Sequence, residues 1–173
     1  MIEVALLCLF PVAVLSAAIM DLFSMTISNK ISIALIAGFA VLSVATGMDL
    51  QTIGWNLALA TLVLAIGFAC FYFGWVGGGD VKLAASVVLW LGFENSTAFF
   101  IYSGLFGGLL TILLLMARRF ALPTSLMQVE WISRLHSKDE GVPYGIAMGP
   151  AALALYPDTR WMAYVYENAA WLV

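Results

Sequence analysis

The chain has 173 residues, of which 64% are hydrophobic and only 10% charged, and its mean hydropathy is +1.04. A water-soluble domain carries about 25% charged residues and no more than about 50% apolar ones, so this composition excludes a soluble globular protein and makes lipid the solvent. The formal net charge of −3 decides little, because in membrane proteins the placement of Lys and Arg matters more than their total.

The first apolar run, 2–20, follows Met1 directly, with Glu3 and no basic residue at its start. It is therefore expected to be a retained span and not a cleaved signal peptide. Runs at 31–47, 53–73 and 97–117 come near or reach the ~20 helical residues that cross a ~30 Å hydrocarbon core. Two shorter runs, 81–93 and 144–156, reach only roughly 20 Å as helices. They count as spans because the charge pattern then falls into place. With six spans and an external N-terminus, the cytoplasmic segments are 21–30, 74–82 and 117–143. These hold Lys30, Lys82, Arg118, Arg119, Arg134 and Lys138, leaving Arg160 as the remaining member of the seven Lys and Arg, as the positive-inside bias requires. The expected fold is all-α, a single polytopic domain over 1–173 with about six transmembrane helices and no internal repeat.

Between the fifth and sixth spans, Thr124 or Ser125 after Pro123 could cap a helix. Leu126, Val129, Ile132 and Leu135 recur there at nearly helical spacing beside Trp131. Such a stripe suits a helix lying at the interface, or a loop helix packed on the bundle. The segment 161–173 is apolar but short and contains Glu167, which suggests an interfacial tail. Trp55, Trp90, Trp161 and Tyr164 fall at presumed outer ends, as an aromatic belt would. Gly104 and Gly108 form a GxxxG pair suited to helix packing within the monomer. Asp49 and Glu94 read as solvated turns. Cys8 and Cys70 lie in apolar runs without a CxxC partner or neighbouring histidines, so small core residues are expected rather than a disulfide or a zinc site.

A carboxylate at the edge of a span is costly and needs a reason. Asp21 ends the first span and Asp80 begins the fourth, at matching depth in the six-span arrangement. Ala13 and Ala17 share a stripe with Asp21, and Ala84 and Val88 share one with Asp80, so both could sit on helix-packing seams. Two carboxylates brought within a few ångströms cannot both ionise, and one then holds the proton that the other lacks. Such a pair can activate water and protonate a carbonyl without a metal. Around Asp80 the sequence reads Gly77-Gly78-Gly79-Asp80-Val81-Lys82. The glycines could present a free backbone to an extended peptide. A phosphate-binding loop is excluded, since no Gly-Lys-Ser or Gly-Lys-Thr closes the segment. Lys82 points away from Asp80 on a helix and reads as an interface anchor.

The segment Gly77-Gly78-Gly79-Asp80 matches the GxGD motif of intramembrane aspartyl proteases. With Val81-Lys82, with Asp21 followed by Ile27-Ser28-Asn29, and with Val142-Pro143-Tyr144-Gly145-Ile146-Ala147, the chain resembles the type IV prepilin peptidases within that group. Ser28 departs from the more usual Ile-Pro-Asn, while the aspartate and asparagine are retained. The resemblance implies six transmembrane helices in the bacterial inner membrane and cleavage of prepilin leaders on the cytoplasmic side. It implies Asp21 and Asp80 as catalytic residues, with Gly77, Gly78, Gly79 and Asn29 as scaffold or substrate-binding residues and Tyr144 as a residue lining the site. Larger members carry paired CxxC motifs and a methyltransferase segment, for which this chain has neither cysteines nor room. It looks like the short, peptidase-only branch acting on Flp-type (tight-adherence) prepilins and pseudopilins. The expected partners are such a substrate and the bilayer, without nucleic acid. No cofactor or metal is expected, His136 being the single histidine. The competing reading is a small proton- or cation-coupled transporter or channel, which would call for polar residues deeper in the spans than Asn56 and scattered Ser and Thr.

Overall fold

The computed structural model describes residues 1–138 and 140–168. In chain order the helices are α1 (Ile2–Ser24), α2 (Asn29–Ala45), α3 (Leu50–Tyr72), α4 (Gly78–Ala117), α5 (Thr124–Met127), α6 (Glu130–His136), α7 (Gly145–Leu155) and α8 (Arg160–Asn168), with a 3-10 turn at Tyr156–Asp158. Among the described residues there is no strand, and the protein is an all-α membrane protein. Helices α1, α3 and α4 are long and apolar enough to cross a bilayer, and α2 is a shorter apolar helix. Side chains such as Val12, Ile36, Leu62, Ile66, Leu109 and Leu113 are exposed on their flanks, an arrangement stable only where hydrocarbon replaces water.

Helix α4 is a folded-back pair of limbs. Gly92, at φ 72° and ψ −178°, breaks the helical path, in a region of backbone space that is essentially reserved for glycine. Asp80, Val81 and Ala84 before it line the same cavity as Phe99, Phe100, Ser103 and Gly104 after it. In a continuous helix Asp80 and Gly104 would stand roughly 36 Å apart. The chain therefore reverses at Gly92, and the two limbs correspond to the runs 81–93 and 97–117. Asn56, buried on α3, holds the reversal by donating from Nδ2 to the Leu89 carbonyl at 3.3 Å.

Helix α7 runs antiparallel to α1. Gly145 lies against Asp21, Gly149 against Ala18 and Val14, and Tyr156 Oη donates to the Leu6 carbonyl at 2.8 Å. A Cβ on Gly149 would stand 2.9 Å from that of Ala18, so Gly145 and Gly149 are the small residues that let these helices meet. The pair singled out by sequence, Gly104 and Gly108, has nothing within 4 Å of either Cβ position. It packs no helix in this chain.

Several other expectations are corrected. Trp90 and Trp161, 1% and 2% exposed, belong to the core and not to an interfacial belt. Trp90 Nε1 donates to the Leu35 carbonyl at 2.8 Å and Trp161 Nε1 to the Trp90 carbonyl at 2.9 Å, and the two rings lie 4.9 Å apart. Trp55 alone of the three tryptophans is exposed. Cys8 is exposed and Cys70 half-buried, so neither is a core residue. Asp49 caps α3, accepting from the Thr52 amide and hydroxyl at 2.8 Å each, and pairs with Arg160 at 2.8 Å. That hydrogen bond from Arg160, helped by Thr52, holds its carboxyl well below the usual carboxylate range. Over its described part the segment 161–173 belongs to α8, which buries Trp161, Met162 and Val165. Residues 169–173 lie outside the described residues.

The stripe at 126–135 forms two short helices, α5 and α6. Neither Thr124 nor Ser125 supplies a cap, because α5 starts after Pro123 with no side-chain capping bond. Apolar spacing persists across the break at 128–129, which is why it read as one helix. Trp131 meets Phe23 edge to face at 5.3 Å, and Arg134 Nη1 donates to the Phe23 carbonyl at 3.3 Å. Helix α6 is thereby tied to the end of α1, while Leu126, Met127 and Val129 stay exposed.

Candidate active site

The ends of α1 and α3 and the starts of α4 and α7 converge on one cavity of about 840 Å³. Asp21 and Asp80 both line it and lie close enough to interact electrostatically. Met25, Phe71, Trp75, Val76, Thr111 and the stretch 140–144 complete the wall. The sequence-predicted pair is thus brought together by four elements that are distant in the chain.

Asp21 is 4% exposed, and the physical reason it tolerates burial is its partner. The Gly145 amide, at the first turn of α7, donates to Asp21 Oδ2 at 2.6 Å. A helix N-terminus carries unpaired N–H groups and the positive end of the macrodipole, so a carboxylate is stabilised there. Gly145 must be glycine for this approach, because a Cβ would stand 2.8 Å from Oδ2 and 2.9 Å from the Asp21 Cβ.

Asp80 occupies the third position of α4, after Gly77 at the cap. Its carboxylate folds back over Gly77, where a Cβ would meet Oδ2 at 2.8 Å. An acidic residue in a first helical turn is favourably placed, and the chain folds locally so that α4 starts with its charge facing the cavity. The three glycines stand at the cap and first turn of α4. Gly77 lines the cavity, whereas Gly78 and Gly79 lie within the helix, packed on the Phe71 ring and on Ile27. As first-turn amides of α4, those of Gly78 and Gly79 have no intrahelical acceptor.

Asn29 is exposed and does not line the cavity. Its Oδ1 accepts from Lys82 Nζ at 2.9 Å, which fastens the turn between α1 and α2 to the first limb of α4. Lys82 thereby has a partner within the fold. Ser28, where the family pattern more often has proline, caps α2 and accepts from the Lys30 amide at 3.3 Å, a role Ser fills well. Tyr144 lines the cavity, as expected, and reaches Gly107, whose missing Cβ leaves space for the phenol ring.

Sequence reasoning missed three contributors. Gly145 was part of a quoted motif but received no role, although its spacing to Gly149 was a legible packing signal. Glu140 brings a third carboxylate to the cavity wall, and nothing in the surrounding residues marked it. Arg118 donates from Nε to the Leu135 carbonyl at 2.9 Å and from Nη2 to the Gly141 carbonyl at 3.1 Å, holding the 140–144 stretch in place. The residues 126–135 are not part of the wall, so covering the cavity falls to 140–144 instead.

The arrangement offers the Asp21 and Asp80 carboxylates in one partly enclosed space, Asp21 held by an amide, with Glu140 and Tyr144 also on its wall. Among the described residues no three His, Cys, Asp or Glu side chains gather as a metal site. The sequence model of the type IV leader peptidase family matches residues 8–112, more than half of the chain. No curated protein and no solved structure matches it.

Proposed function

The chain belongs to the type IV leader peptidase family, and from that premise we propose that it is an aspartic endopeptidase whose catalytic pair is Asp21 and Asp80. The observation that carries this reading is the shared cavity, which two carboxylates 59 residues apart in the chain both line. The family favours peptide hydrolysis over the transport reading.

In the proposed mechanism one carboxyl is protonated and the other ionised, since two adjacent charges of like sign repel. The ionised carboxylate takes a proton from water as its oxygen adds to the scissile carbonyl carbon. The protonated carboxyl gives its proton to the carbonyl oxygen, forming a gem-diol. Collapse of the gem-diol returns a proton through the pair to the leaving nitrogen as the C–N bond breaks. One water is consumed, and the pair is left with the single proton it began with. The Gly145 amide holds Asp21 in position throughout.

The substrate we propose is a Flp-type prepilin or pseudopilin, cut at the cytoplasmic face of the bacterial inner membrane. Lys30, Lys82, Arg118, Arg119, Arg134 and Lys138 all lie on segments at the dyad's end of the bundle, which supports that end being cytoplasmic. Glu140, Asp21 and Asp80 give the cavity negative charge, complementary to a basic leader.

Asp21→Asn and Asp80→Asn, co-expressed with such a prepilin, test the proposal by the size of the product. Each is expected to lower processing about a thousandfold or more, and the double variant hardly further, because groups that act as a unit are not additive. Substantial cleavage by either inserted, folded single variant would remove the dyad from the mechanism.

A further inference from the structure

A second cavity, of about 430 Å³, opens between α3 and the second limb of α4. Gly67 and Cys70 line it from α3, and Phe100, Ser103 and Gly104 from the limb. Val76, Asp80 and Tyr144 line both this groove and the dyad cavity, so the two spaces meet at the proposed catalytic carboxylates. Their chemistry differs sharply. The dyad cavity, at the basic end of the bundle, mixes Asp21, Asp80, Glu140 and Thr111 with Met25, Phe71, Trp75 and Val76, while the groove is almost wholly apolar and lies deeper along the helices.

One polar atom in the groove's wall is unexplained, and it is covered and does not face the open space. Ser103 is 6% exposed, and among the described residues its Oγ has no hydrogen-bond partner. Serine hydroxyls inside helices ordinarily bond the carbonyl four residues back, as Thr111 does to Gly107 in the same limb. Leaving a buried hydroxyl unpaired costs free energy. Next to it Gly104 has open space where a Cβ would stand.

We propose that this groove is the seat of the substrate's apolar segment immediately beyond the cleaved bond, and that the covered Ser103 hydroxyl turns about χ1 into the groove to donate a hydrogen bond to a carbonyl of that segment. The inference rests on the peptidase reading and adds to it the path by which substrate enters from the membrane. A leader-bearing substrate changes from polar to apolar near its cleavage point, and the two spaces change from polar to apolar at Asp80. Cleavage requires local unwinding of a helix, and each carbonyl freed within the bilayer needs a donor. From the depth of Cys70 to that of Val63 the groove extends about 10 Å, enough for roughly three extended residues. Ser103 is a positioning residue under this proposal, not a catalytic one.

Two measurements on the full-length protein test it, with a Flp-type prepilin carrying a basic leader and an apolar helix as the probe. In the first, Ser103→Ala is expected to lower kcat/KM about threefold to tenfold, the worth of one neutral hydrogen bond, mainly through KM, with thermal stability unchanged or raised. Unchanged kinetics would overturn the role of Ser103. In the second, alkylation of native Cys70 is followed in the Asp80→Asn variant with and without the prepilin. Cys8, in the crevice between α1 and α2, is the internal reference. The prepilin is expected to slow labelling of Cys70 severalfold and leave Cys8 unaffected. Equal labelling with and without prepilin, or a groove filled by lipid and protected in both cases, would overturn the groove while the wild-type enzyme still cuts the prepilin. A prepilin that the wild-type enzyme leaves uncut overturns the peptidase reading, and the groove proposal falls with it.

Discussion

Gly145 is the position where the site's geometry makes its sharpest demand. Replacing it with alanine adds one methyl group at 2.8 Å from Asp21 Oδ2, 2.9 Å from its Cβ and 3.2 Å from its Cγ. All three distances are shorter than ordinary contact between non-bonded atoms, and two of the atoms belong to the base of the side chain, where little rotation can relieve them. The carboxylate must swing away or α7 must shift, and either movement breaks the 2.6 Å bond from the Gly145 amide. A hydrogen bond to a charged group is worth about 1.5–3 kcal/mol. If that full amount holds the carboxylate in its reacting position, cleavage falls by about 10- to 150-fold. Gly149→Ala supplies the comparison, because its methyl group would meet Ala18 at 2.9 Å, a full turn away from the carboxylate. It is expected to lower stability while leaving the rate per folded molecule near that of the wild type. Cleavage of a Flp-type prepilin in detergent, normalised to folded protein by thermal unfolding, separates the two variants. A Gly145→Ala enzyme that cuts at the wild-type rate would refute the claim that this amide positions Asp21.

Three further expectations follow from the fold. Gly92→Ala should destabilise the protein by about 1–3 kcal/mol, the cost of forcing a side chain into that backbone region, whereas Gly54→Ala, with open space at its Cβ on α3, should stabilise it by up to about 1 kcal/mol; unfolding in detergent reads both. The Asp49 carboxyl has its folded pKa below the usual value, so its contribution is full above the ordinary carboxylate range near pH ~4 and is lost as pH falls through the lower folded value. Asp49→Asn should therefore lower the melting temperature at neutral pH, with the difference shrinking in acid; a constant difference at all pH values would show that the charge is not involved. Reporters fused after Arg119 and after Asp49 should read cytoplasmic and external respectively, and the reverse pair would invert the proposed orientation.

The sequence carried the helices far better than it carried their faces. Continuous apolar runs mark helices because a bilayer allows no unpaired backbone, and the runs 81–93 and 97–117 correctly anticipate the two limbs that Gly92 separates. Faces are another matter. In lipid the outer and inner sides of a helix are both apolar, so no amphipathic stripe distinguishes Trp90 and Trp161 in the core from Trp55 outside. The same loss of contrast explains the choice of Gly104 and Gly108 over Gly145 and Gly149, since spacing is identical and only the neighbours differ. Asp21 and Asp80 were legible because a carboxylate at a span's edge is itself a contrast. Glu140 was not, since in a polar loop a carboxylate is ordinary. The helical place of Gly78 and Gly79 was not legible for a local reason: glycines beside a helix start can enter its first turn, where these two pack closely on Phe71 and Ile27.

The lengths of the helices bear on how deep the proposed chemistry lies. Asp49, Glu94, Asp158 and Arg160 gather around the reversal at Gly92, all of them lining the outer pocket or, in the case of Asp49, paired to a residue that does, and charged groups of this kind belong at a membrane surface. From Gly92 to Asp80 the first limb rises about 18 Å. A hydrocarbon core of ~30 Å then leaves the dyad about 12 Å short of the opposite surface. Helix α7 is shorter still, about 16 Å over Gly145–Leu155, so Asp80 sits at the tip of one short helix and Asp21, near the end of the longer α1, meets the tip of another. The longer elements around them continue outward. Thr111 on the second limb lies about 28 Å from the reversal and still lines the dyad cavity, so that space extends from the carboxylates toward the basic end. Short helices surrounded by long ones thus make a water-accessible recess within the bilayer. Such a recess reconciles two requirements that a uniform bundle could not meet together: carboxylates need water as a reactant, and the cleaved bond borders a segment that remains in lipid.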